Sequence, residues 1–518
     1  MRHGRFPTIF IIFAAAFLTL LPLSVTAWAQ EDHAPSNLVH TMQPLSKPYR
    51  VIFNCDGYAV FQDAKGDVDQ WIANVFVPLD GSHVDALFWC DGSGGNTANY
   101  ESDILELSGV RADKVDPHLK KMLDAGQDPP EIMVREAHQR GLDIYYSFRL
   151  NDIHDSFIPE EMATFKKEHP EWMIGKGHSY GFWSALKFTV PEVRELKFRA
   201  IEEIFQKYDF DGLEIDFMRG VPYFIPGEEI THAHLLTELL ARIRGHLNER
   251  SKERGRPIHL AVRVDENLEA CRLDGFDVAS WIDRGLVDIL VMGSGPIDIE
   301  VEEFKKLARP KGIPVYPCLY GWPSKYYIIA EPLAAGIALN YWHQGGDGIY
   351  LFNWFPHPNA SEGKPYQAGF MKHVGDPEVL LENQRKLMFV ADRMPPRSAN
   401  YPHNWMHCSL PASLLTNKEQ EALIVVGADL KNTPVAPALT LRLVVENLQE
   451  DDLIEVTFNG QSVASLQLAD ADTLTAPLKP DQVIRGRNRV SMKLTFASPK
   501  SDKIRTVTAL ELNVVFFD

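Results

Sequence analysis

The stretch Tyr208–Arg219 reads YDFDGLEIDFMR, a short apolar run in which Asp211, Glu214 and Asp216 are three of four carboxylates. It directly follows a segment with the pattern of an amphipathic helix, PEVRELKFRAIEEIFQKY. In a buried parallel strand successive side chains point in opposite directions, so Gly212, Glu214 and Asp216 share one face. Two acidic side chains would then point inward at the carboxyl end of a strand. This placement is typical of the chemistry of α/β barrels.

The stretch is one of eight strand-like runs that alternate with helix-patterned segments, an alternation that predicts βα units and a parallel sheet. Eight such units in about 350 residues predict an α/β fold, a (β/α)8 TIM barrel over residues 47–394. An open, doubly wound sheet is the alternative, but no run is followed by a GxGxxG or P-loop motif. The runs begin at Tyr49, Val84, Leu142, Asp211, Ile258, Val287, Ile313 and Gly348.

The pattern changes after Pro395. Segments such as LTLRLVVENL and NRVSMKLTF alternate apolar and polar residues, and Asn459-Gly460 is a strong hairpin signal. A small all-β sandwich over residues 404–518 is therefore predicted, joined to the barrel by a linker over 395–403. The segment LKPDQVIRGRNRVSMKL resembles the late strands of galactose-binding-like jelly rolls. That resemblance implies a domain that either braces the barrel or binds sugar.

The first residues predict export. A basic start, MRHGR, precedes the apolar run PTIFIIFAAAFLTLLPLSV and the small-x-small site Ala27-Trp28-Ala29. This order predicts a signal peptide over residues 1–29, followed by an extension over 30–46, and a secreted or periplasmic protein without stable membrane insertion after cleavage. An uncleaved membrane anchor is the alternative, because the apolar run is near spanning length.

Net charge, motif content and cysteine spacing limit the classes of partner, cofactor and disulfide that are expected. The net charge of −18 argues against nucleic acid or anionic lipid, and favours a neutral carbohydrate substrate. No cofactor motif and no HExxH motif is present, so neither a cofactor nor a metal is expected. The five cysteines are scattered singly. Cys55 and Cys90 end successive strands, and are either buried thiols or a disulfide.

Glycoside hydrolysis usually needs two carboxyl groups that flank the scissile bond. Asp216 is predicted to be the nucleophile or base, and Asp265 or Glu266, at the end of the fifth strand, the proton donor. Asp265 is the preferred proton donor if the fifth strand continues through it, whereas Glu266 is preferred if the strand ends at Val264. Glu214 completes the predicted catalytic set.

Arg263 lies one layer deeper than these acids, at the level of Glu214. We expect Arg263 and Glu214 to pair, which would hold Asp216 ionised. The cluster around His154 is expected to hydrogen-bond to sugar hydroxyls rather than to bind a cation. The aromatic residues at strand ends are candidate stacking platforms. The predicted substrate-binding residues are Asp56, Asp91, Arg149, Asn151, His154, Arg263, Trp322, Asn353 and Trp354.

Three motifs together resemble the bacterial glycosyl-hydrolase-like barrels of family 10 type. They are the helix and strand quoted first, HPEWMIG from His169, and FDVASWIDRGLVDILVMG from Phe276. The resemblance covers about Arg50 to Phe355, and implies a secreted, carbohydrate-active barrel. FDGLEIDFM is also similar to the chitinase signature FDG-x-D-x-D-x-E, but Met218 stands where the proton-donating Glu would be.

The leading hypothesis is therefore a secreted glycoside hydrolase that acts on a polysaccharide or glycan through a carboxylate pair. Met218, and a seventh strand that ends without an acid, keep open a protein of another class. This alternative is a carbohydrate-binding or envelope protein whose barrel does not catalyse.

Overall fold

A computed structural model describes residues 44–177, 182–321, 326, 329–356, 368–394, 403–464 and 466–517, which lie within one compact unit. The predicted signal peptide, most of the extension 30–46 and most of the linker 395–403 lie outside these residues. Within the described ranges, the helices are too short or too polar for any of them to cross a membrane.

Eight parallel strands close into a barrel in sequence order, and the first pairs with the eighth. The predicted (β/α)8 barrel is confirmed. Its strands are β1 (Val51–Asp56), β2 (Val84–Cys90), β3 (Asp143–Arg149), β4 (Gly212–Asp216), β5 (His259–Val264), β6 (Ile289–Met292), β7 (Val315–Tyr320) and β8 (Ile349–Phe352).

Helices surround the strands and cover their outer faces. They are α1 (Gly57–Asp63), α2 (Val68–Phe76), α3 (Pro117–Asp124), α4 (Pro129–Gln139), α5 (Thr164–Glu168), α6 (Pro191–Lys207), α7 (Glu229–Arg254), α8 (Leu268–Leu273), α9 (Val278–Asp283), α10 (Val301–Ala308), α11 (Glu331–His343) and α12 (Pro377–Glu382). Helix α6 begins with a proline at its first position, where the missing N–H costs no hydrogen bond. Buried Val193, Ile201 and Ile204 turn one face of α6 to the core, just before β4.

Side chains of alternate residues fill the barrel interior in layers. The layer nearest the amino ends is aromatic, with the Tyr145 ring stacked on Phe88 at a centroid distance of 4.3 Å. Polar side chains follow toward the carboxyl ends, where Asn54, Ser147 and Glu214 are hydrogen-bonded to one another. The charged groups therefore lie at the carboxyl ends, as predicted.

The remaining strands form two antiparallel sheets. One has the order β10-β18-β12-β16-β15 with β9 added to β18, and the other has the order β11-β17-β13-β14. This arrangement confirms the predicted all-β region. Their bounds are β9 (Lys386–Val390), β10 (Ala412–Leu414), β11 (Glu419–Val426), β12 (Ala438–Glu446), β13 (Leu453–Phe458), β14 (Gln461–Ser462), β15 (Gln467–Asp470), β16 (Thr473–Leu478), β17 (Gly486–Phe496) and β18 (Arg505–Val515).

Local sequence accounts for the β13–β14 hairpin, because Asn459 and Gly460 adopt the positive φ angles of +50° and +77° that such turns require. Strand β9 differs from expectation. It precedes the predicted linker, yet it pairs with β18 along its whole length. It also packs so closely on α11 that a side chain at Gly336 would meet the Met388 carbonyl. The sandwich sheet therefore begins before residue 395.

Cys55 and Cys90 are not joined in a disulfide. Cys55 packs in the outer core, on the same side of β1 as Phe53. Cys90 follows Phe88 on the inner face of β2, where burial raises the pKa of its thiol. The two side chains lie on opposite faces of the barrel wall, so a disulfide does not form.

Candidate active site

A buried ion pair joins the carboxyl ends of β4 and β5. The parallel register places Asp216 directly opposite Arg263. The guanidinium donates through Nε to Oδ1 of Asp216 at 3.0 Å, and through Nη2 to Oδ2 at 2.8 Å. Its third nitrogen donates to the Gly293 carbonyl, and the group lies 4.0 Å from the centroid of the Phe352 ring. This two-point contact fixes the plane of the carboxylate.

Glu214, one layer deeper, does not have its predicted partner. It accepts hydrogen bonds from the Ser147 hydroxyl at 2.5 Å and the Tyr350 hydroxyl at 2.8 Å. The predicted pairing of Glu214 with Arg263 is wrong, because the guanidinium reaches up to the Asp216 carboxylate instead. Burial, together with the negative charge of Asp216, raises the pKa of Glu214 to about 7.

Glu266 follows the point where β5 ends, at Val264. Because the strand ends at Val264, the sequence argument favours Glu266 over Asp265 as the proton donor. Its Oε1 accepts from the backbone N–H of Ser294 at 2.5 Å and from the Ser294 hydroxyl at 3.0 Å. Its Oε2 accepts from the amide of Asn404 at 2.9 Å. Burial outweighs these bonds and raises the pKa of Glu266 to about 7.

Asp265 lies in a separate acidic cluster. Burial and the neighbouring carboxyl groups of Asp274 and Glu266 raise the pKa of Asp265 well above its usual value. Asp274 in turn contacts Nδ1 of His403 at 2.6 Å. The Asp265 carboxyl group therefore lies next to that of Asp274, the residue that follows α8.

Beside the buried acids, a cavity of about 470 Å³ opens over the carboxyl ends of β1, β2 and β3. The predicted binding residues Asp56, Arg149 and His154 line it, together with the loops that follow β2 and β3. Arg149 donates from Nη2 to Oδ2 of Asp56 at 3.0 Å. In the register of β3 and β4, Arg149 is also the partner of Asp216. It therefore connects the cavity wall to the ion pair.

Asp152 holds His154 at the edge of this cavity. The His154 ring contacts Oδ1 of Asp152 through Nδ1 at 2.8 Å, and its side chain is 47% exposed. Burial disfavours the charged form of Asp152, but His154, Arg149 and Arg219 outweigh it and lower the pKa of the carboxyl group. Among the described residues, no three His, Cys, Asp or Glu side chains are grouped so that they could hold a metal ion.

Two predicted binding residues organise loops instead of lining the cavity. Asp91 is buried and accepts hydrogen bonds from the backbone N–H groups of Ser93 and Asn99. Asn151 is fully buried and bridges two loops, because it accepts from the N–H of Leu186 and donates to the carbonyl of Pro222. Both are corrections to the sequence prediction, since the polar atoms of both side chains bond to loop backbone and neither side chain lines the cavity.

The three binding residues predicted near the ends of strands seven and eight differ in their exposure. Trp354 is 1% exposed and packs against Phe370, so its ring cannot stack on a sugar. Asn353 is half-buried and donates to the Tyr320 hydroxyl at 3.2 Å. Trp322 lies outside the described residues.

Several side chains that contact the buried acids were not predicted. Ser147 and Tyr350 share the inward face with Arg149 and Phe352, so the period of two could have identified them. Asn404 lies beyond the predicted linker, and no local pattern connects it with the barrel.

Residues 80–238 match the model of the family described as Glycosyl hydrolase-like 10. The matched segment includes β2, β3 and β4, and therefore Arg149 and Asp216. Glycosyl hydrolase YngK of Bacillus subtilis (strain 168) is 28% identical over 111 residues, which are 20% of this chain and 20% of that protein. The matched stretch thus spans about a fifth of the relative's length. The resemblance to family 10-type glycosyl-hydrolase-like proteins is confirmed.

Solved structures with a similar fold include the α-amylase from Geobacillus thermoleovorans in complex with acarbose, at 11% identity and a TM-score of 0.37, covering 87% of this chain and 100% of that one. The α-L-fucosidase isoenzyme 2 from Paenibacillus thiaminolyticus has 12% identity and a TM-score of 0.38, covering 67% and 52%. Similarities this weak say nothing about the reaction of this chain.

Proposed function

We propose that the protein is a glycoside hydrolase whose reaction takes place at the carboxyl ends of the barrel strands. The observation that carries the proposal is the contrast between two buried carboxyl groups. Asp216 is clamped by the cationic Arg263, whereas Glu266 has only neutral donors and a pKa raised to about 7. A carboxylate paired with a cation, beside a second carboxyl group whose pKa is raised, is the pattern of a catalytic base and a catalytic acid.

Each residue then has a role. Asp216 is the nucleophile or base, and Arg263 orients its carboxylate. Glu266 keeps its proton near neutral pH and delivers it to the leaving oxygen. Glu214 lies beneath Asp216 without access to a ligand, so its negative charge, when present, acts only through space on the ion pair.

The adjoining cavity is suited to a hydroxyl-rich substrate. Its walls combine the carboxyl group of Asp56, the guanidinium of Arg149 and the ring of His154, which supply both donors and acceptors. A volume of about 470 Å³ is sufficient for one or two sugar rings. We infer that this cavity holds the part of a neutral glycan next to the bond that is cleaved.

The test is turnover on a panel of glycans and aryl glycosides. We expect Asp216→Asn to lose activity by about 10³-fold or more, because the amide lacks the charge and basicity of the carboxylate. Its melting temperature should fall, since Arg263 stays buried without an anionic partner, and turnover is compared at a temperature where the variant is folded. Asp209→Asn is the matched control, since Asp209 is 61% exposed and lies before the same strand. Full activity of D216N would contradict the assignment.

Substrates with different leaving groups distinguish Glu266 from Asp265 as the proton donor. A good leaving group departs without protonation, so the variant that lacks the donor loses more activity on a natural glycan than on an activated aryl glycoside. We expect this difference for Glu266→Gln and not for Asp265→Asn. Equal losses on both substrates for E266Q would remove Glu266 from the mechanism.

One observation favours a second function. Asp216 and Glu266 are each only 1% exposed, whereas the neighbouring cavity is open. A barrel that binds glycan without cleaving it would have this property. Glycan binding by calorimetry, with no turnover of any substrate on the panel, would favour the non-catalytic protein.

We also propose that the protein is exported. The basic start and the apolar run before Ala29 support cleavage at that residue. Mass spectrometry of the protein from an expressing cell should find an amino terminus at Gln30. An intact amino terminus in the membrane fraction would favour the anchor instead.

A further inference from the structure

A short segment after the barrel reaches back onto its carboxyl-end loops. The amide of Asn404 donates to Oε2 of Glu266 and to the Ser294 hydroxyl, each at 2.9 Å. Asn404 is 3% exposed, so these bonds are made away from solvent. Its neighbour Trp405 lies so close to Gly295 that an added side-chain carbon there would meet the ring at 3.5 Å.

Two histidines hold the same segment on either side of Asn404. His403 contacts Asp274, which follows α8, at 2.6 Å. His407 contacts Glu300, which precedes α10, at 2.8 Å. Anchors to loops after both β5 and β6 define where the amide of Asn404 is placed.

We propose that Asn404 is a positioning residue for Glu266, so that residues 403–407, from beyond the barrel, complete its active site. This inference rests on the proposed function. It adds that the acid depends on a side chain 138 positions away in the sequence. The barrel strands alone would then present an incorrectly oriented proton donor.

Hydrogen-bond geometry specifies what Asn404 does. Both acceptor sites of Oε1 of Glu266 are used by the backbone N–H and the hydroxyl of Ser294. The proton of neutral Glu266 is therefore carried by Oε2. Oε2 has two hydrogen-bonding directions in the plane of the carboxyl group. The amide of Asn404 occupies one of them, so the O–H bond points along the other. Asn404 thus selects the direction in which the proton is delivered.

The same bond affects the titration of Glu266. An amide N–H stabilises the charged carboxylate more than the neutral acid, so its loss makes Glu266 release its proton at higher pH. Other titratable groups that face this region keep their positions in a variant at Asn404, and their effects cancel in a comparison with wild type. They are Asp265, Cys271, Asp274, Cys318, Tyr341, His403 and Cys408.

The experiment compares Asn404→Ala with Asn432→Ala in the full-length protein. We expect N404A to lower kcat/KM on a natural glycan by about 10- to 100-fold, as for a lost hydrogen bond to a charged group. Its activity should persist to higher pH, and the loss on an activated aryl glycoside should be small. N432A removes an exposed amide that donates to Asp429, outside residues 403–407, and should retain the wild-type profile.

The outcomes separate this inference from the proposed function. If N404A keeps the wild-type pH profile while D216N is inactive, Asn404 does not position Glu266 and the hydrolase assignment stands. If neither the wild type nor any variant cleaves a glycan, ¹³C NMR titration of Glu266 in wild type and N404A still tests whether Asn404 acts on Glu266. The same titration curve in both proteins overturns the inference. Where N404A does not fold, Asn404→Leu keeps a side chain of similar shape without the donor, and the same two measurements apply.

Discussion

The two halves of the barrel's carboxyl end differ in how they use charge. Over β1 to β3, Asp56, Arg149 and His154 line an open cavity, and the His154 side chain is 47% exposed. Over β4 to β6, Asp216 and Glu266 are each 1% exposed and bonded on both oxygens. Water reaches the exposed ring of His154 in the open half, whereas burial in the other half raises the pKa values of Glu214 and Glu266. Binding groups and reacting groups are thus kept in adjoining environments.

The largest effect that distinguishes the halves is on stability. Arg263→Ala leaves the Asp216 carboxylate buried without its partner, and we expect a loss of about 3–5 kcal/mol in the free energy of unfolding. Arg272→Ala breaks an exposed pair with Glu269 and should cost less than about 1 kcal/mol. Urea denaturation measures both. Similar losses for the two variants would show that burial does not set the strength of the Asp216 pair.

A second effect is the pH dependence of stability. The folded-state pKa of Glu214, about 7, lies above its ordinary value of 4.5. Its contribution to stability is therefore fully present below pH 4.5 and is lost as the pH rises through 7. The loss is about 3 kcal/mol. Glu214→Gln does not titrate, so its melting temperature should fall less than that of wild type across this window.

The control for Glu214 lies on the exposed surface. Glu303→Gln removes a carboxyl group that is 49% exposed beside Lys306, and its melting curve should follow that of wild type at every pH. Parallel pH profiles for E214Q and wild type would mean that Glu214 titrates as an ordinary carboxyl group.

The smallest effect belongs to the open half. His154→Ala removes a half-exposed ring from the cavity wall, and we expect KM to rise by about 3- to 10-fold with little change in kcat, because the contact is made equally before and during the reaction. His169→Ala is the matched control, since His169 is 45% exposed and contacts Glu171 outside the cavity. A fall in kcat alone for H154A would place His154 in the chemistry instead.

Periodicity predicted the face of each strand but not the stagger between strands. Glu214, Asp216 and Arg263 were all correctly directed inward. Which acid receives the guanidinium depends on the β4–β5 register and on how far the arginine extends. Likewise, β5 could end or continue after Val264 on sequence alone, and its actual end turns Glu266 rather than Asp265 toward Ser294.

The sequence by itself determined the eight barrel strands, their inward acids and the Asn459-Gly460 hairpin, because alternation and turn conformation are local properties of a few neighbouring residues. Only the tertiary structure decided that Trp354 is buried, that β9 joins the sandwich sheet, and that Asn404 bonds to Glu266. Each of these depends on contacts between residues far apart in the chain. No short-range pattern encodes such contacts, since they follow from how completed elements pack.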